Sequence, residues 1–173
     1  MQLANTIVVK EVKNTAIGEL ILFSIGRSQA LGIVLGPRFP NLELCILRID
    51  TRSSLTFHST ARQEESCISY GCDWILEPII GSETISENFD WLEKPGILHL
   101  ENGQAGVYFQ GNTSENGGRY PDYIDLLSTT SKAPSRSALP VKRWRIWRSN
   151  EDMSSRKAEP LFTFDYEVKG EPK

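Results

Sequence analysis

The sequence predicts a mainly β chain of two related lobes joined by a short helix, and three observations carry that expectation. An apolar hairpin is written twice, most other apolar runs alternate with period two, and only one stretch has helical spacing. The first copy, Gly18-Glu-Leu-Ile-Leu-Phe-Ser-Ile-Gly26, passes through Arg27 and Ser28 into Gln29-Ala-Leu-Gly-Ile-Val-Leu-Gly36. The second, Pro95-Gly-Ile-Leu-His-Leu-Glu-Asn-Gly103, passes into Gln104-Ala-Gly-Val-Tyr-Phe-Gln-Gly111. The expected division is residues 1–80 as a first lobe and 81–173 as linker helix plus second lobe, the latter closing with a C-terminal hairpin.

Each element has its own signal. Thr6 to Val12 is β-branched and short, a first strand. Gly26-Arg27-Ser28 predicts a looser hairpin turn, whereas Asn102-Gly103 is the pair that a two-residue type I′ turn requires. Gly32 and Gly106, early in each return strand, predict bulges or close backbone approaches. No polar residue interrupts Ala30 to Gly36, so this strand is expected to be covered on both faces. Leu42 to Asp50 is the next strand, with a short one at Leu55–Phe57. In Cys67 to Leu76, the residues Ile68, Tyr70, Cys72, Trp74 and Leu76 share one face, and Pro78 ends the run.

Ile85, Phe89 and Leu92 fall on one helical stripe beside a capping-box pattern, Thr84-x-x-Glu87, so Ser82–Leu92 is the expected linker helix. Tyr123–Leu127 is a short strand or helical turn, and Ser128–Pro140 is expected to be a flexible loop. Val141–Arg148 and Leu161–Val168 form a final strand pair across a polar loop, Ser149–Pro160. Lys169–Lys173 is expected to fray.

The Gly-rich hairpin following a Gly-x-Leu-Ile strand resembles the turn pattern of SH3-like small barrels, including the KOW type. The resemblance covers two stretches of about 20 residues and implies small-barrel lobes; fold alone does not name a function.

Composition narrows the classes. Lys+Arg 19 against Asp+Glu 22 leaves a net charge of -3, which disfavours a wholesale nucleic-acid binder while allowing a local basic stripe. No apolar run reaches the roughly 18 residues of a membrane helix, and Met1–Lys10 lacks the basic and apolar regions of a secretory leader. A cytoplasmic protein with no membrane contact is expected. Cys45, Cys67 and Cys72, an odd set, read as reduced thiols. Cys67-x4-Cys72 is not structural zinc spacing, and no cofactor or metal site is written in the sequence.

One stretch has distinct chemical character. Lys142-Arg-Trp-Arg-Ile-Trp-Arg148 interleaves cations and rings, as nucleic-acid contacts require. Strand alternation sends Trp144 and Ile146 inward and Arg143, Arg145 and Trp147 outward. With Arg145 opposite Asp165 and Arg143 opposite Glu167, the arginines would be paired and Trp147 would be the exposed anchor for a protein partner. Arg143, Arg145 and Trp147 are therefore the expected partner-binding residues.

The leading functional expectation is a non-enzymatic interaction module that binds a protein partner through exposed strands or grooves. The alternative is a KOW-like nucleic-acid module using 141–148. A third, a small hydrolase around His58 with Asp50 and Ser53 or Ser54, lacks any nucleophile elbow. His99, opposite in face to Leu98 and Leu100, reads as a solvated or edge position.

Overall fold

The computed structural model describes residues 8–38, 41–60, 65–81, 94–110 and 123–166. In chain order these form β1 (Val8–Glu11), a 3-10 turn at Val12–Asn14, β2 (Leu20–Ile25), β3 (Ser28–Arg38), β4 (Asn41–Ile49), β5 (Arg52–Thr60), β6 (Ser66–Ser69) and β7 (Ile75–Pro78). There follow β8 (Leu98–Glu101), β9 (Gln104–Tyr108), β10 (Tyr123–Asp125), β11 (Leu139–Val141), β12 (Arg143–Trp147), α1 (Asn150–Ser155) and β13 (Phe162–Asp165). The protein is mainly β. Three antiparallel sheets have the orders β1-β6-β2-β3-β4-β5, β10-β9-β8-β11 and β13-β12-β7. The expected linker helix, Ser82–Leu92, lies outside the described residues, as does Glu167.

Both hairpins form. Asn102 and Gly103 take φ of 49° and 78° between the paired Glu101 and Gln104, the geometry of the expected type I′ turn. The first turn is tighter than expected: Ile25 pairs with Ser28, leaving Gly26 and Arg27 as a two-residue loop. Gly26, at φ 61°, supplies the positive φ that a type II′ turn places at its first loop position. Gly32 sits at a register shift between β3 and β4, and a Cβ there would lie 3.0 Å from the Cys45 carbonyl oxygen. Gly106 differs, with regular pairing to both neighbours and no bulge.

The expected single strand from Cys67 to Leu76 is broken in two. Gly71 has φ 78°, a value that favours glycine, and the chain turns there. Thus β6 joins the six-stranded sheet while β7 joins β12 in the three-stranded one. The Trp74 indole fastens the turn by donating to the Gly18 carbonyl at 2.9 Å.

This crossing interleaves the segments before and after residue 80. Leu20, Leu31 and Ile33 share one apolar cluster with Leu98, Val107, Trp144 and Phe164, so the three sheets enclose a common core. Ile21, Phe23, Val34, Leu44, Ile46 and Cys67 form a second cluster. Alternating residues of β3 therefore enter both clusters, which is why its sequence lacks a polar face. Among the described residues no barrel closes, since β1 and β5 end the six-stranded sheet without pairing to each other. No helix among these residues is long and apolar enough to cross a membrane.

Candidate interaction site

The basic strand β12 lies in the centre of its sheet because alternate residues satisfy two surroundings. Trp144 and Ile146 are fully buried, with the Trp144 ring 5.1 Å from Phe162 and 5.8 Å from Phe164. Its indole donates to the Gly96 carbonyl at 2.7 Å. The register differs by two residues from the sequence expectation, with Arg143 opposite Asp165 and Arg145 opposite Thr163. A shift of two keeps every side chain on its expected face. It also pairs Phe162, a residue of the expected apolar face, with Ile146 rather than Arg148.

The outward face is neutralised by carboxylates. Arg143 Nε donates to Asp165 Oδ1 at 2.7 Å. Arg145 lies opposite Glu77 of β7, with 3.9 Å between charged atoms. Glu77 also accepts from Trp147 Nε1 at 2.7 Å and from both terminal nitrogens of Arg156, one at 2.8 Å. The Arg156 guanidinium covers the Trp147 ring, 4.9 Å from its centroid. Trp147 is consequently only 3% exposed, which corrects its expected role as an exposed anchor.

Glu77 is held as an anion. Hydrogen bonds from Arg156 lower its pKa from 4.5 to about 2, with burial opposing and Trp147, Arg156 and Arg145 adding to the fall. Arg156 reaches it from the end of α1, where it takes φ 55°; Ser149 caps the start by accepting from the Asp152 amide at 3.1 Å. The polar loop expected at Ser149–Pro160 thus contains a six-residue helix. Neither Glu77 nor Arg156 stands out in the sequence. Glu77 was legible as an off-face residue beside Leu76, but its partner is 79 positions away. The Ser149-x-x-Asp152 capping pattern was the one local signal for α1.

Beside the other edge of β7 lies an open apolar groove of about 600 Å³. Consecutive strands β11 and β12 pair in different sheets, leaving β7 and the tip of the β8–β9 hairpin on either side of the opening. Trp74, Leu76, Leu100, Leu127 and Leu139 supply its apolar lining, and Leu127 is 60% exposed. Among the described residues lining it Glu101 is the only charged one, and strand alternation puts its side chain on the His99 face, where its carboxylate accepts from Ser135 and Ser137. The Ser135 hydroxyl and amide hold that carboxyl below its usual pKa, so it remains charged. None of these contacts could be read from local spacing, because the groove joins segments distant in sequence.

The other candidate residues are dispersed. His58 is half-buried opposite Leu44, with its ring 6.3 Å from Phe23, and burial lowers its pKa. Asp50 instead accepts from the Gln29 amide at 2.9 Å, and Ser54 bonds Thr56. Among the described residues no contact joins His58 to Asp50, Ser53 or Ser54. His99 is 2% exposed, correcting its expected solvated position, and packs edge-on against Tyr123. It borders a cavity of about 10 Å³ shared with Asp125, Glu101, Lys132 and Pro134. Cys45 and Cys67 are buried, Cys72 is exposed, and all three are free thiols. No group of three or more His, Cys, Asp or Glu is arranged to hold a metal among the described residues. In comparisons with protein-family models, curated proteins and solved structures, nothing matches this chain.

Proposed function

We propose that the protein is a non-enzymatic interaction module whose protein partner seats in the groove between β7 and the β8–β9 hairpin. The observation that carries this reading is an open apolar lining with Leu127 displayed at its surface. Burying such a surface provides a general driving force for association. Arg143, Arg145 and Trp147 would then brace the sheet behind the groove rather than touch the partner. Small SH3-like lobes, which the repeated hairpins resemble, would suit this role by offering edges and grooves. A reducing, cytoplasmic setting would suit three unpaired thiols.

The test pans a random peptide library on the wild-type protein and on Leu127→Lys, a substitution at an exposed position. The wild type should enrich a family of related peptides that the variant fails to retain. Equal retention by the variant would remove the groove from the account. Fluorescence anisotropy with single- and double-stranded DNA and RNA at low salt should remain flat. Salt-sensitive binding lost in Arg143→Ala and Arg145→Ala would replace this proposal with the nucleic-acid reading.

A further inference from the structure

Resting on the groove as the interaction site, we infer that its occupant is an extended peptide segment of the partner, with alternate apolar side chains, that adds as a fourth strand to the edge of β7. Among the described residues no strand pairs with this edge, and the hydrogen-bond ladder selects it. Ile79 donates its amide to the Arg143 carbonyl at 2.9 Å, and β7 and β12 are antiparallel with Glu77 opposite Arg145 and Ile75 opposite Trp147. Hydrogen-bonded pairs alternate with non-bonded pairs in such a ladder. Residues 75 and 77 therefore bond β12, while Leu76 and Pro78 turn their backbone groups away from it. The other side of β12 agrees. Tyr166 donates to the Lys142 carbonyl at 3.0 Å, which sets the Ile146–Phe162 pair as the bonded one and directs the Ile146 backbone to β13.

Leu76 thus presents an N–H and a carbonyl along the groove, whereas Pro78 presents only a carbonyl. One residue of an antiparallel peptide exchanges both bonds with Leu76. The residue two positions away donates to the Pro78 carbonyl without needing a bond in return. This pattern specifies an extended backbone and fixes its register. Alternate apolar side chains face Leu100, Leu127 and Leu139.

The probes are the peptide Lys-Val-Thr-Val-Thr-Val-Lys and analogues N-methylated singly at each residue. Each is titrated to millimolar concentration and followed by nuclear magnetic resonance. The parent peptide should bind. N-methylation at the residue facing Leu76 should weaken binding about tenfold, because a donor is lost and a carbonyl is left unmet. Saturation should slow hydrogen exchange of the Leu76 amide at least about tenfold.

No binding of the parent peptide would overturn strand addition. Binding abolished by Leu127→Lys but insensitive to N-methylation at every residue, with the Leu76 amide unprotected, would also overturn it while retaining the groove as a site for side chains. Self-association of the peptide-free protein, dissolved by Leu127→Lys, would assign the edge to a second copy and overturn the partner segment. Failure of library panning is a separate result, which removes the interaction reading itself.

Discussion

Replacing Glu77 by Gln removes the charge shared by Arg156, Arg145 and the Trp147 indole. The expected loss is about 1 kcal/mol at neutral pH, since Arg156 is half-exposed and water screens the pair. The pH dependence follows from the direction of the pKa shift. A carboxyl lowered from 4.5 to about 2 contributes its stabilisation above the unfolded value and loses it as pH falls through the folded one. Wild-type stability should fall between those values, and the slope should be shallower in Glu77→Gln; equal slopes in urea denaturation would remove Glu77 from that role. The cysteines give a second residue-scale expectation. Cys72 should react with a soluble thiol reagent in the native protein, slowly because burial, then Glu19 and Asp73, raise its pKa. Cys45 and Cys67 should react after unfolding. Three native equivalents would contradict their burial.

At the scale of the element, β12 distinguishes two tryptophans whose outward and inward faces were legible from alternation. Trp144→Ala should cost about 3–5 kcal/mol, as a deletion from the common core. Trp147→Ala should also destabilise, by about 3 kcal/mol, because its ring is enclosed by Arg156 and Glu77. Denaturant midpoints measure both, and a neutral Trp147→Ala would restore the ring as an exposed anchor. The two-residue register shift was not legible, because either frame keeps the same residues inward and only long-range packing of Phe162 separates them. Likewise, Cys67–Leu76 alternates throughout in sequence. The choice of a turn at Gly71 depends on Trp74 reaching Gly18 and on β7 finding β12. The Asn102-Gly103 turn was legible because its signal lies within the two residues themselves.

Across the whole molecule, the β character follows from local pattern, whereas the shared core and groove arise from contacts between distant segments. The groove opens where β11 and β12 enter different sheets, and the same arrangement turns the arginines of β12 toward Glu77 and Asp165. Paired cations project little field beyond a Debye length of about 8–10 Å, so the apolar groove is the more effective attractant. Isothermal titration of a library-enriched peptide tests this division most directly, using wild type, Leu127→Lys and Arg143→Ala at two salt concentrations. The account predicts affinity lost in Leu127→Lys, retained in Arg143→Ala and changed little by salt. Affinity retained in Leu127→Lys, or falling steeply with salt and lost in Arg143→Ala, would contradict it.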